Sequence, residues 1–302
     1  MLDLTTIGTI SIDLYFKGDS LPEDRREFHL DIGKKYLADY LYEGVGGGGT
    51  NVAAAATYHG LKTAVLGFVG DNPFQHIIFE ELKKIKISTE YCQLKKNYLN
   101  ISTILLTEGG ERTIINYRPP HEKIFTKELS NEKLLEANVF YLGNLPDVSL
   151  AERVQLLKLL KRNNKMVFLN LGIRDCERPS GEIAELVSPV DVLILNAQEF
   201  ALLRKKGYRE LNFKESVFSH HPELQGKVVV VTDAEKGSYG YKDDNIVYQE
   251  AVKPKKIIDT TGAGDAYTGT FIAEYIKNSD LSNAMKKAAT HAAHIIGKIG
   301  AN

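Results

Sequence analysis

The stretch Ile257-Ile258-Asp259-Thr260-Thr261-Gly262-Ala263-Gly264-Asp265-Ala266-Tyr267 carries the sharpest chemical signal in this chain. Small residues just before a helical segment, here residues 268–277, let consecutive backbone N–H groups point into one concavity. The positive end of the helix dipole reinforces them, and the result is an anion site. Asp265, at the start of that helix, can accept a proton or cap the helix, and aspartate is a common cap. A cap alone requires nothing as long as DTTGAGDAYTGTF. Side chains within 262–264 are expected to be excluded, valine at 264 both by turn strain and by bulk near the bound anion. A second glycine run, Gly46-Gly47-Gly48-Gly49-Thr50-Asn51, precedes the apolar helical segment 52–58. It allows close backbone approach to a ligand, and Asn51 offers donors and acceptors to hydroxyls. A flexible hinge is the plainer reading of the same residues. No GKS or GKT follows, so this is not a Walker loop. Nor does GxGxxG follow the first strand, which argues against a dinucleotide-dependent oxidoreductase.

The elements that must hold these motifs are legible from periodicity. Short β-branched apolar runs at 5–10, 64–69, 139–142, 166–171, 192–195 and 228–232 read as strands buried on both faces, the pattern of a parallel sheet. Helix-period segments lie between them. In 73–86, Phe74, Ile78, Leu82 and Ile85 share one face, and in 150–164, Ala151, Val154, Leu157 and Leu160 do so. Such alternation predicts an α/β fold, a doubly wound and mostly parallel sheet flanked by helices. Two segments break it. Residues 15–43 carry charges and aromatics without a clear period, and 101–117 read as a hairpin around Glu108-Gly109-Gly110. The expected division is therefore a core of residues 1–14, 44–100 and 119–302, with a small β lid of 15–43 and 101–118.

Composition narrows the function. The 302 residues hold 38 Lys+Arg against 39 Asp+Glu, a net charge of −1, which argues against a nucleic-acid partner. No apolar run approaches the ~18 residues of a membrane span, and the first residues do not read as a signal peptide. The two cysteines, Cys92 and Cys176, fit neither a disulfide framework nor a zinc site. A cytoplasmic protein is expected.

Taken in order, Ser11-Ile12-Asp13, GGGGTNVA, Asn196-Ala197-Gln198-Glu199, Val231-Thr232-Asp233-Ala234-Glu235-Lys236-Gly237 and DTTGAGD resemble the ribokinase-like (PfkB) carbohydrate kinase family over nearly the whole chain. That resemblance implies an α/β core with a β-sheet lid, and ATP-dependent, Mg²⁺-assisted phosphorylation of a hydroxymethyl group on a monosaccharide or sugar-like substrate. It makes Asp265 the base and the amides of Gly262, Ala263 and Gly264 the anion hole. It sets Asp13, Gly47, Gly48, Asn51 and Asn144 at the substrate and Asn196, Thr232 and Gly237 at the nucleotide. Glu199 would hold Mg²⁺ through water, and Asp259 and Thr261 would supply oxygens to a monovalent cation such as K⁺. Departures from the family pattern are Gly48 where ribokinase-type sequences often have lysine, Ala234 for a glycine and Ala289 for an asparagine.

Rival readings are a nucleoside kinase of the same family, kept alive by Tyr15 and Phe16 beside Asp13, and a non-catalytic sugar- or nucleotide-binding regulator. Arg118 is either a ligand for an acidic substrate group or a solvent-facing side chain. His291 and His294 read as packed or surface residues rather than metal ligands. The charged run 19–27 reads as solvated. Unpaired edge groups of the lid hairpin make a homodimer through the lid the expected assembly.

Overall fold

Apolar segments that can be buried on both faces pair as parallel strands, and the helices between them then cover both sides. The computed structural model describes residues 2–18, 21, 23–24, 27–107, 112–120, 123–125 and 131–301. In chain order it has β1 (Leu4–Ile7), β2 (Ser11–Lys17), β3 (Glu23–Asp24), β4 (Glu27–Phe28), β5 (Tyr40–Gly46), α1 (Gly48–Tyr58), β6 (Thr63–Gly70), α2 (Phe74–Lys84), β7 (Cys92–Lys95), β8 (Ile101–Leu106) and β9 (Arg112–Tyr117). There follow α3 (Asn131–Leu134), β10 (Val139–Leu142), α4 (Leu150–Arg162), β11 (Met166–Asn170), α5 (Ile173–Cys176), α6 (Ser180–Val187), β12 (Val192–Asn196) and α7 (Ala197–Leu203). The chain ends with β13 (Val228–Thr232), β14 (Ser238–Lys242), β15 (Asn245–Gln249), α8 (Ala263–Asn278) and α9 (Leu281–Ile296).

The large sheet has the order β15-β14-β13-β12-β11-β10-β1-β6-β7. Its strands from β13 to β7 run parallel, and β14 and β15 add an antiparallel edge. Alternation divides the strand side chains between two cores. Phe140, Leu142, Val167, Leu169, Leu193, Leu195, Val229 and Val231 face the side covered by α4, α6 and α7. Val139, Tyr141, Phe168, Val192, Ile194, Val228 and Val230 face α8 and α9. Because these strands are parallel, their C-terminal ends share one edge, where open α/β sheets bind ligands.

The separate small sheet has the order β5-β2-β8-β9. Within it β2 begins at Ser11 and β5 ends at Gly46, so Asp13 and Gly46 belong to the small sheet rather than to the core expected from the sequence. The hairpin register opposes Ile101 to Tyr117, Thr103 to Ile115 and Leu105 to Thr113. Glu108-Gly109-Gly110 and much of the charged run 19–27 lie outside the described residues. Two helices start earlier than periodicity suggests, α1 at Gly48 and α8 at Ala263, because glycine and small residues leave no apolar stripe to mark a first turn. No helix among the described residues is long and apolar enough to cross a membrane.

Candidate active site

The 259–262 loop ends on Gly262, the residue before α8, whose φ of 74° lies in the left-handed region open to glycine. No side-chain hydrogen bond caps this helix among the described residues, and the Gly262 carbonyl accepts from the Ala266 amide at 2.8 Å. The amides of its first turn therefore keep donors available at the sheet's C-terminal edge. Asp265 lies inside that turn. The loop is fastened from beneath by Asp259, which is fully buried. Its Oδ1 accepts from the Thr261 amide at 2.8 Å and the Thr261 hydroxyl at 2.5 Å, and its Oδ2 accepts from the Gly300 amide at 3.0 Å.

Helix α1 reaches the same point from the other half of the chain. Gly269 of α8 has no side chain where the α1 backbone passes: a Cβ there would lie 2.3 Å from the Val52 carbonyl oxygen. That approach brings Asn51 Nδ2 to 2.8 Å from Asp265 Oδ2, across 214 positions of sequence. The Asn51 Oδ1 is buried and accepts no hydrogen bond from the described residues, which leaves an unused acceptor beside the carboxylate. Gly47 precedes α1 and Gly48 opens it, with a notional Gly48 Cβ 3.8 Å from Asp265 Oδ1. Burial pushes the Asp265 carboxyl up to about 6, with the Asn51 bond opposing the rise and the Asp13 charge adding to it.

Asp13 hangs from β2 on one face of the small sheet. Its carboxylate accepts from Ser11 Oγ at 2.9 Å and bonds Ser102, and burial still raises its pKa. The register sets Tyr15, Tyr42, Ser102, Asn116 and Arg112 on that same face. The Tyr15 hydroxyl shares a hydrogen bond with Thr261, and Tyr42 lies against Gly300. Arg112 Nη1 donates to the Thr260 hydroxyl. The face carrying Asp13 is thus turned toward the loop that leads into the helix carrying Asp265. Phe16 points to the opposite face, so the aromatic partner of Tyr15 is Tyr42, at 5.6 Å between ring centroids.

Along the sheet edge, Asn196 Oδ1 accepts from the Gln198 and Glu199 amides, and Glu199 Oε2 accepts from the Asn196 amide at 2.9 Å. The pair is a capping box for α7. Glu199 also accepts from Asn170 at 3.4 Å, and burial pushes its carboxyl up to about 7. No described Lys, Arg or His neutralises it. Thr232 ends β13, its hydroxyl donating to the Leu195 carbonyl at 3.4 Å, and Gly237, at φ 97°, closes the turn into β14.

Some expected residues stand apart. Asn144 is exposed and lies against Gly172, with no contact to Asp13, Asn51 or Asp265 among the described residues. Arg118 pairs with Asp147 at 2.9 Å. His291 is buried, bonded to Thr270 at 2.7 Å and stacked on Tyr58, while His294 is exposed. No cluster of metal-ligating side chains occurs among the described residues. Residues that sequence reasoning passed over are Ser102, Asn170, Tyr42 and Arg112. Alternation along 101–117 would have found Ser102 and Arg112, since both are in phase with Asp13 once the register is known.

The model of the pfkB family carbohydrate kinases matches residues 1–302. The chain is 28% identical over 249 residues to "Probable fructokinase-5" of Arabidopsis thaliana, covering 78% of this chain and 75% of that one. It is 24% identical over 309 residues to 5-dehydro-2-deoxygluconokinase of Clostridium beijerinckii, covering 98% and 87%. Among solved structures, Arabidopsis thaliana ribokinase complexed with ribose and ATP superposes with a TM-score of 0.76 at 21% identity, covering 99% of this chain and 94% of that one. Adenosine kinase from Sinorhizobium meliloti gives 0.77 at 21% identity, covering 100% and 95%. With the loop, the glycine run and the two-sheet architecture in the same chain, the family match over its full length makes this protein a phosphotransferase of the pfkB family of carbohydrate kinases.

Proposed function

We propose that the protein transfers the γ-phosphoryl group of ATP to a hydroxymethyl oxygen of a monosaccharide or a sugar-like molecule. The observation that carries this reading is the Asn51–Asp265 pair at 2.8 Å, at the mouth of an uncapped helix start and opposite Asp13. Asp13 and the open Oδ1 of Asn51 accept from two sugar hydroxyls, which fixes the acceptor oxygen next to Asp265. Asp265 removes the proton from that oxygen as it attacks phosphorus. The amides of Gly262, Ala263 and Gly264 then meet the charge spread over the phosphoryl oxygens, the main protein contribution to a reaction of this kind. Gly47 and Gly48 leave room for the sugar beside the carboxylate.

Asn196, Thr232 and Gly237 border the nucleotide in this reading. Glu199, buried without a cationic partner, suits Mg²⁺ held through water, and Asn196 orients its carboxylate. Such an ion, when bound, neutralises phosphate charge. Around 259–261 the Asp259 carboxylate already accepts three donors, so oxygens for K⁺ would come from the main chain there. Two free thiols fit a cytoplasmic setting. The assembly proposed is a homodimer through the outer face of the small sheet.

A nucleoside acceptor is the second reading, favoured by the Tyr15–Tyr42 ring pair beside Asp13. An ADP-release assay over pentoses, hexoses, acidic keto-sugars and nucleosides separates the two. A free sugar should be the best acceptor. Asp265→Asn should lower kcat by ~10²–10⁴-fold with ATP binding retained. A nucleoside outrunning every sugar transfers the substrate reading to the second class. Turnover by Asp265→Asn at the wild-type rate removes the base from the mechanism.

A further inference from the structure

Between Thr232, which ends β13, and Gly237, which leads into β14, the chain makes one tight turn through Asp233 and a 3₁₀ segment, Ala234–Lys236. The Asp233 amide donates to the Gly237 carbonyl at 2.7 Å, and the Lys236 and Gly237 amides donate to the Asp233 and Ala234 carbonyls at 2.8 and 3.2 Å. Ala234 has a φ of 46°, in the left-handed region, where a Cβ crowds the following carbonyl and a glycine would not. A residue in such a conformation persists only where its surroundings hold it. The hold comes from outside the turn. Tyr208 opens a second 3₁₀ segment, Tyr208–Glu210, beyond α7. Its hydroxyl donates to the Asp233 carboxylate, 2.7 Å from Oδ1 and 2.9 Å from Oδ2. Asp233 is buried, and its carboxylate accepts from no other described residue. Lys236 Nζ donates to the Tyr208 hydroxyl at 2.5 Å and lies 4.6 Å from the centroid of that ring. Ammonium, phenol and carboxylate thus form one chain of donors, in which the cation strengthens the phenol as a donor to the anion.

We infer that Tyr208 is a positioning residue for the nucleotide, holding the strained 233–237 turn, through Asp233, in the shape that ATP meets. This rests on the reading above that Thr232 and Gly237 border the nucleotide. Asp233 follows Thr232 directly and its amide is bonded to Gly237, so a displaced Asp233 moves both residues. Without the phenol hydroxyl, a buried carboxylate is left with no donor and turns out to water. Ala234 is then free to leave the left-handed region, and the turn loses its fit to the nucleotide. Asp13, Asn51 and Asp265 are carried by β2, α1 and α8, so the sugar side of the site is not disturbed.

Isothermal titration calorimetry with ATP and Mg²⁺ tests the inference, alongside steady-state kinetics on D-fructose, or on D-ribose where that is the faster acceptor. Tyr208→Phe should raise the Kd and KM for ATP ~10-fold, the size of one hydrogen bond to a charged group. Its kcat and sugar KM should stay within about twofold of wild type, the split expected when only binding of one substrate is lost. Asp233→Ala should have the same effect, and it reports the link from its other end should Tyr208→Phe fail to fold in thermal melts. Adding Ala234→Gly to Tyr208→Phe should bring the ATP Kd back to within about threefold of wild type, because glycine keeps the positive φ unaided. A merely structural tie would leave the double variant as weak as the single one. An unchanged ATP Kd in Tyr208→Phe overturns the inference, as does an equal rise in the sugar KM or no recovery in the double variant. Thr232→Val separates the two levels of failure. If it too leaves the ATP Kd unchanged, the turn does not border the nucleotide and the failure lies in that reading.

Discussion

Asp265 holds its proton up to about 6 because burial strips water from the carboxylate, and the neighbouring Asp13 charge works in the same direction. Its pH dependence follows directly. A base must be ionised, so kcat/KM should be flat above about 6 and fall about tenfold per pH unit below it. Stability runs the other way for this group. Its folded pKa lies above the ordinary aspartate value of 3.8, so its stabilising contribution is complete below 3.8 and is lost as pH rises through about 6. Activity at pH 5 should therefore drop through protonation of the proposed base, with no unfolding attributable to it. Circular dichroism alongside a pH–rate profile checks this, and a rate constant unchanged down to pH 4 would contradict the assignment.

At the scale of elements, the loop entering α8 separates two glycines that look alike in sequence. Gly262 has a positive φ, and a Cβ on it would stand 2.1 Å from the Ala301 Cβ. Gly264 has no heavy atom within 4 Å of its notional Cβ. Turn strain, expected from the sequence at 264, therefore resides at 262. Gly262→Ala should lose ~1–3 kcal/mol of stability, the range for a strained backbone position, and should dislodge the C-terminal segment 297–301. Gly264→Ala should melt with the wild type yet lose activity, since its methyl enters the side left open for the phosphoryl group. Thermal melts paired with kinetics distinguish the two, and a Gly264→Ala enzyme as active as wild type would show that no ligand occupies that space.

Across the whole molecule, the small sheet has two unlike faces. The one bearing Asp13, Tyr15 and Arg112 is turned to the loop that enters α8. The other exposes Leu41, Ile115 and Tyr117 at 63%, 61% and 60% of their surface. Apolar side chains clustered on an outward sheet face suit a self-complementary contact about a two-fold axis. On the proposed assembly the wild type should sediment as a dimer and the double variant Leu41→Asp, Ile115→Asp as a monomer. A wild-type monomer at tens of micromolar would refute the dimer.

The sequence by itself determined the layered α/β architecture and the family. Burial on both faces of a parallel strand writes an uninterrupted apolar run, and the DTTGAGD and GGGGTN motifs are contiguous. It also showed a hairpin in 101–117, because alternation at period two survives in a sheet with unlike faces. It did not show that Asn51 bonds Asp265, since that contact depends on how closely α1 and α8 pack at Gly269. Nor did it separate the two arginines. Arg118 stands in a more conspicuous local setting, yet Asp147 holds it, and the register of β9 is what carries Arg112 to Thr260. Asn196 and Glu199 read as ligands in sequence, and the fold also makes them a capping box. Tertiary structure decided these points for one reason. Periodicity records which face of an element is buried, whereas hydrogen bonds and desolvation depend on what the rest of the chain brings within about 3 Å of each polar atom.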